Sequence, residues 1–106
     1  MDTTSPRQAY VALTGELDIF RKDEIAATLP DPNALGGAII NLLKATYIDS
    51  CVLGMLVKLR REFVSSGGDP HNLILVIPKE GPVRRAFELT GLLRLFSIAH
   101  VDPTTR

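Results

Sequence analysis

Two short apolar segments on either side of an amphipathic helix constrain the fold of this chain most strongly. Residues 38–43 (AIINLL) and 73–77 (LILVI) have the length and composition of buried strands. Between them, apolar residues recur every three or four positions from Val52 to Phe63, which is the spacing of a helix with one buried face. A strand, a helix and a further strand in this order predict an α/β protein with a mostly parallel sheet.

The rest of the chain extends this alternation. The apolar strand at 38–43 suits a sheet that is covered on both faces. We expect one α/β domain over residues 1–106, with its core at about 8–100 and a four- to five-stranded sheet flanked by helices. The further predicted features are a strand over 10–14, a turn at Gly15-Glu16, a helix over about 21–28, a loop at Gly36-Gly37, a helix from Pro82 that Gly91 closes, and a last strand over 93–99.

Composition and charge exclude several classes of function. Twelve Lys and Arg residues balance twelve Asp and Glu residues, so the chain has no basic patch that would indicate nucleic acid or an anionic membrane. A single cysteine excludes an internal disulfide, and His71 and His100 lie too far from other ligands to predict a metal site. The first residues are polar and resemble no signal peptide, and no apolar run is long enough to span a bilayer, so we expect no direct membrane insertion. These features predict a cytoplasmic protein.

The junction between the predicted strand and the main helix is the strongest candidate site. Asp49 and Ser50 stand where the first turn of a helix leaves backbone N–H groups unpaired and favours negative charge. Ser50 is therefore placed either to receive a phosphoryl group or simply to cap the helix. Gly54, early in the helix, suits close approach, either of the sheet or of a partner chain.

Cys51 is a candidate nucleophile because a helix N-terminus lowers the pKa of a thiol. A cysteine phosphatase, however, needs an arginine soon after the nucleophile, and none occurs before Arg60. We therefore favour a packed, partly exposed structural cysteine over a catalytic or redox-active one. The glycine pairs of this sequence lack the lysine that a phosphate-binding loop requires.

Four segments in order resemble the STAS domain and, within it, the bacterial anti-sigma-factor antagonists. They are 13–18 (LTGELD), 39–42 (IINL), 47–54 (YIDSCVLG) and 84–92 (RRAFELTGL), and together they span nearly the whole chain. The resemblance implies a sheet flanked by helices, no catalytic activity and no cofactor. It also implies binding to an anti-sigma factor that is itself a serine kinase, which frees a sigma factor and so regulates transcription.

The resemblance further implies a phosphorylation switch. The kinase would phosphorylate Ser50 and so break the complex, and a separate phosphatase acting on phospho-Ser50 would restore it. A dianionic phosphate on a surface that the partner must cover is sufficient to oppose binding. The residues that the resemblance places on the partner-binding surface are Asp18, Asp49, Ser50, Cys51, Leu53 and Gly54, with Leu53 and Gly54 on the exposed opening of the helix.

The sequence also departs from the family pattern. Cys51 and Val52 replace a small hydroxyl residue and a glycine, and the β-branched Val52 is expected to narrow access for a kinase. The opening strand is expected to be short or missing. We expect no room for a closing helix after residue 100, which would leave an apolar flank for a partner or a second copy, so a homodimer stays open.

Two other functions remain open at this point. One is a constitutive STAS accessory or scaffold subunit of a lipid-transport or stress-signalling complex, in which Ser50 only caps the helix. The other is a nucleotide-binding regulator that uses the same helix N-terminus for a ligand phosphate.

Overall fold

The computed structural model describes residues 7–99, in which strands and helices alternate along the chain. The three helices are α1 (Lys22–Thr28), α2 (Ser50–Ser65) and α3 (Pro82–Thr90). The strands are β1 (Arg7–Ala12), β2 (Gly15–Leu17), β3 (Leu35–Asn41), β4 (Ala45–Ile48), β5 (Leu73–Val76) and β6 (Ser97–Ala99).

The strands form two sheets, and the strands within each sheet are parallel. Strands β1, β3, β5 and β6 form a four-stranded sheet in that order, and β2 pairs with β4 in a smaller sheet. The step from the larger to the smaller sheet is held by Leu13 N–H donating to Asn41 O (3.0 Å) and Gly15 N–H donating to Lys44 O (3.0 Å). This confirms the predicted α/β fold with a mostly parallel sheet.

The hydrophobic core lies between one face of the larger sheet and the three helices. Helix α2 buries a stripe from Val52 to Phe63, as its apolar spacing predicted. Burial removes these side chains from water, which is the main favourable contribution to folding. The sheet and the other two helices contribute Val11, Ala38, Ile40, Leu73, Leu75, Ile25, Val83 and Phe87.

The opposite face of strands β1 and β3 is open to solvent, so the predicted coverage of both faces is wrong for this part of the sheet. Tyr10 and Ile39 are register partners and point to the same side of the sheet. They are 63% and 38% exposed. The apolar composition of β3 is therefore compatible with a sheet face that no helix covers at Tyr10 and Ile39.

Three local predictions also differ from the structure. Gly15 begins strand β2 instead of a turn, because the chain continues to pair with its parallel neighbour. Gly36-Gly37 lies in β3 and not in a loop, and a Cβ on Gly37 would lie 2.8 Å from the carbonyl oxygen of Asn72. Residues 93–99 form a strand only at Ser97–Ala99, after a 3-10 helix at Leu92–Arg94.

The strand predicted over 10–14 is present as β1, which begins and ends a few residues earlier, at Arg7–Ala12. The expectation that a further opening strand before it is short or missing falls on residues 1–6, outside the described residues. The expectation about a closing helix falls after residue 99, outside the described residues. The predicted limits of α3 are confirmed: Pro82 begins the helix, and Gly91 ends it with the left-handed φ of 76° that favours glycine.

Candidate functional site

Parallel strands β2 and β4 bring two aspartates to one edge of the smaller sheet. Leu17 and Ile48 are register partners at the carboxyl ends of these strands. The residue that follows each strand is an aspartate at the same edge, Asp18 after β2 and Asp49 after β4. The backbone N–H of Asp49 donates to Leu17 O (3.0 Å), which holds the two strand ends together. Pairing that the sequence pattern did not reveal thus assembles the site.

Asp49 is the residue that caps helix α2. Its Oδ1 accepts a hydrogen bond from the Val52 backbone N–H at 3.0 Å. Its Oδ2 accepts a second bond from the backbone N–H of Ile19 at 2.9 Å, across the edge from the other strand. One carboxylate therefore satisfies an unpaired helix amide and at the same time ties the turn after β2 to the start of α2.

Ser50 occupies the first position of α2 and is exposed. Within the described residues its hydroxyl makes no hydrogen bond, because the capping role belongs to Asp49. The alternative in which the Ser50 hydroxyl caps the helix is therefore wrong. The hydroxyl faces solvent at the helix end where the dipole and the free N–H groups favour negative charge.

Asp18 caps the turn that follows it. Its Oδ1 accepts from the Phe20 backbone N–H at 3.0 Å and begins the 3-10 helix Ile19–Arg21. Asp18 is half-buried, whereas Ile19 is 56% exposed and Phe20 is 93% exposed. Sequence reasoning singled out Asp18 but missed these two apolar side chains, because no pattern in the sequence shows that an aromatic residue after a strand points into water.

Arg21 fixes the same turn to strand β2. Its Nη1 donates to Thr14 O (2.7 Å) and Glu16 O (2.9 Å), and its Nη2 lies 2.9 Å from the Glu24 carboxylate. The hydrogen bond to Glu24 raises the pKa of Arg21 and lowers the pKa of Glu24. These bonds tie the segment from β2 to α1 together beside the site.

Cys51 and Gly54 lie on the outer side of α2, beside a groove of about 510 Å³ between α1 and α2. Cys51 is half-buried and Gly54 is exposed. A Cβ on Gly54 would meet no atom within 4 Å, so this glycine does not serve close packing on the sheet. Of the two explanations for Gly54, close approach of the sheet is therefore wrong, and close approach of a partner chain stays a prediction. Other lining residues are Lys22, Ala26, Met55 and Lys58.

Leu53 and Val52 both point into the core. Leu53 is 6% exposed, so its predicted place on the exposed opening of the helix is wrong. Val52 is 0% exposed, so its β-branched side chain does not narrow access to Ser50. Both belong to the buried stripe of α2, which the helix turns away from the surface that carries Ser50 and Gly54.

The described residues contain no group of three or more His, Cys, Asp or Glu side chains that could hold a metal ion. Among the helices within residues 7–99, none is long and apolar enough to cross a membrane.

Comparison with known families matches residues 2–106 to the STAS domain. The chain therefore belongs to the STAS family, as its sequence motifs predicted. It is also similar to a solved structure of a candidate anti-sigma factor antagonist from Thermotoga maritima. The two share 27% sequence identity with a TM-score of 0.70, over 90% of this chain and 81% of that chain. The family and the neighbour support a regulatory role through protein binding.

Proposed function

We propose that this protein is an anti-sigma-factor antagonist that binds an anti-sigma factor kinase through the surface around Ser50, and that phosphorylation of Ser50 releases the partner. One observation carries the proposal. Because Asp49 caps helix α2, the adjacent Ser50 side chain is exposed and its hydroxyl makes no hydrogen bond within the described residues. Membership of the STAS family and the similarity to a candidate antagonist support the same role. The protein itself acts as a cytoplasmic bacterial regulator without a catalytic reaction or a cofactor.

The switch is a phosphoryl transfer from ATP to Ser50. A bond forms between Ser50 Oγ and the γ-phosphorus, and the bond from that phosphorus to the oxygen bridging it to the β-phosphate breaks. ADP leaves, and a base of the kinase takes the hydroxyl proton. A separate phosphatase reverses the switch, with water as the nucleophile and inorganic phosphate as the product.

The charge of the phosphate accounts for the direction of the switch. Phosphorylation adds about −1.5 to −2 charges and three acceptor oxygens to Ser50. The positive end of α2 stabilises this charge in the free protein by about 0.3–1 kcal/mol. In a complex the same charge would be desolvated beside Asp49, which costs several kcal/mol. Exclusion of the partner then needs no refolding of the domain.

Gly54 supports a partner that covers this surface. A glycine inside a helix costs about 1 kcal/mol relative to alanine. No atom lies within 4 Å of the position that its Cβ would occupy, so nothing within the described residues requires the glycine. Because glycine has no side chain, it would allow a second protein to approach α2 closely one turn after Ser50.

The test is phosphorylation by the anti-sigma factor kinases of the same organism. Each purified kinase is incubated with the chain and ATP, and the modified residue is located by tandem mass spectrometry. We expect label on Ser50 in the wild type and none in Ser50→Ala. Ser65→Ala is the matched control, because Ser65 is an exposed serine at the other end of the same helix. Label on a residue other than Ser50 contradicts the switch.

Partner binding by Ser50→Asp separates the switch from the constitutive accessory or scaffold role. Asp at this position keeps the helix stable, since acidic residues are favourable in a first turn. We expect the substitution to weaken binding to the kinase strongly. Unchanged affinity would favour the accessory role. Calorimetry with ATP and GTP tests the nucleotide-binding alternative, for which we expect no heat of binding.

A further inference from the structure

The turn after strand β2 carries the most exposed large apolar side chain of the described residues. Phe20 is 93% exposed, and Ile19 beside it is 56% exposed. Leaving an aromatic ring in water contributes nothing to the stability of the free protein. Aromatic side chains are, however, enriched at protein–protein interfaces, where a few of them supply most of the binding energy.

This turn is joined directly to the phosphorylation site. The Asp49 carboxylate accepts from Ile19 N–H at 2.9 Å with one oxygen and from Val52 N–H at 3.0 Å with the other. The Asp49 side chain thus links Ile19 to the first turn of α2, and Ser50 is the residue that directly follows Asp49. A partner that covers Ser50 also meets the turn.

Hydrogen bonds within the chain support the turn. Asp18 Oδ1 accepts from the Phe20 N–H at 3.0 Å, and Arg21 donates to two carbonyl oxygens of the preceding segment at 2.7 and 2.9 Å. A side chain presented from a backbone that is already ordered loses less entropy on binding than one on a mobile loop. Phe20 therefore has the exposure and the rigid support of a binding anchor.

We propose that Phe20 is the aromatic anchor of the partner-binding surface, that it inserts into an apolar pocket of the anti-sigma factor, and that Asp49 is the positioning residue that holds it beside Ser50. This inference rests on the proposed function, since its occupant is the anti-sigma factor. Continuity between the turn and Ser50 through the Asp49 carboxylate is the reason for assigning both to one partner.

Substitution of Phe20 tests the anchor. The probe is the purified anti-sigma factor kinase of the same organism that binds the wild-type chain most tightly, with affinity measured by calorimetry. We expect Phe20→Ala to weaken binding by roughly 30-fold, as for an interface hot spot. Leu89→Ala is the matched control, because Leu89 is 80% exposed on helix α3, and we expect it to bind like the wild type.

Asp49→Asn tests positioning separately from helix capping. Asn caps a helix as well as Asp, but its NH2 group replaces one of the two carboxylate oxygens. Because the N–H groups of Val52 and Ile19 donate to different oxygens of Asp49, Asn cannot accept from both of them in this geometry. We expect faster hydrogen exchange at the Ile19 amide, little change at the Val52 amide, and binding weakened about fivefold, a coupling of the size found between neighbouring residues. In the Phe20→Ala background the same substitution should have no further effect on affinity. A residue that only caps α2 would lower affinity by the same factor in both backgrounds.

The outcomes distinguish this inference from the proposed function. If Phe20→Ala binds like the wild type while Ser50→Asp does not bind, the anchor is wrong and the switch stands. Equal losses from Asp49→Asn in both backgrounds overturn the positioning role. If no anti-sigma factor of the organism binds the wild-type chain, the proposed function fails and the anchor fails with it.

Discussion

The two ends of helix α2 are built in opposite ways. At its N-terminal end the cap is a side chain, Asp49, and the surface around it exposes Ser50, Gly54 and Phe20. At its C-terminal end the chain turns under a completely buried ring, that of Phe63. One end of the same helix therefore presents exposed groups to solvent, and the other end packs into the core.

The C-terminal end is closed by backbone and packing. The N–H of Gly68 donates to Phe63 O (2.9 Å), and the Ser66 hydroxyl donates to Glu62 O (2.8 Å). Gly67 adopts a φ of +95°, the left-handed region in which glycine is favoured. These hydrogen bonds close the turn within the chain.

Two glycines show what the difference means. A Cβ on Gly68 would lie 2.5 Å from ring carbons of Phe63, whereas a Cβ on Gly54 would meet nothing within 4 Å. Gly68 is required by the fold. Gly54 lowers the stability of the isolated helix, and no contact within the described residues requires it. Substitutions at the two ends of α2 should therefore have different consequences.

Gly68→Ala should have the largest effect. The added methyl group collides with a ring that is 0% exposed and has no free space to enter. Overpacking of this kind costs about 1–3 kcal/mol. We expect a lower urea midpoint with an unchanged slope in equilibrium unfolding. A free energy of unfolding equal to that of the wild type would show that the turn at Gly68 can move away from the Phe63 ring without loss of stability.

Asp49→Ala should destabilise the protein by about 0.5–2 kcal/mol, because it removes the helix cap and the bridge to Ile19 together. Urea unfolding measures the loss, and Asp49→Asn serves as the control that keeps the cap. If both variants lose the same stability, the bridge to Ile19 and not the cap supplies the effect.

Gly54→Ala should act in opposite directions on stability and on binding. We expect the free energy of unfolding to rise by about 1 kcal/mol, because alanine favours the helix and its methyl group meets open space. Affinity for the anti-sigma factor should fall, since that methyl group would stand on the surface that we propose the partner covers. Calorimetry with the kinase and urea unfolding give the two values. A variant that is both more stable and equally well bound would remove Gly54 from the interface.

The ion pair of Arg21 and Glu24 predicts a small effect of pH on stability. The pKa of Glu24 is lowered from its usual 4.5 in the folded protein by the hydrogen bond from Arg21. A lowered pKa stabilises the fold above pH 4.5, and this contribution is lost as the pH falls through the folded value. We expect Glu24→Gln to flatten the decline of stability in acid, measured by urea unfolding across this range. Identical pH profiles would show that the exposed pair contributes nothing.

Much of the fold could be predicted because its signals are local. Helix α2 was predicted from the apolar spacing between Val52 and Phe63, and α3 from Pro82 and Gly91. The smaller sheet could not be predicted in this way. Strand β2 has three residues, and its pairing with β4 depends on backbone contacts between distant parts of the chain.

The candidate site was predicted in part. Asp18, Asp49 and Ser50 could be named from the sequence. Which of Asp49 and Ser50 caps α2 could not be predicted, since both residue types cap helices. Leu53 was placed on the wrong side of α2. Phe20 was missed because the exposure of a single aromatic residue depends on what the rest of the chain leaves uncovered.

The sequence by itself determined the order of strands and helices and the position of Ser50 at the start of the main helix, because backbone preferences and apolar periodicity act over a few neighbouring residues. The tertiary structure alone decided which groups face outward. It joined Asp49 to Ile19, left Gly54 and Phe20 in solvent, and packed Gly68 beneath Phe63. These outcomes depend on contacts between segments far apart in the chain, whose geometry no local pattern specifies.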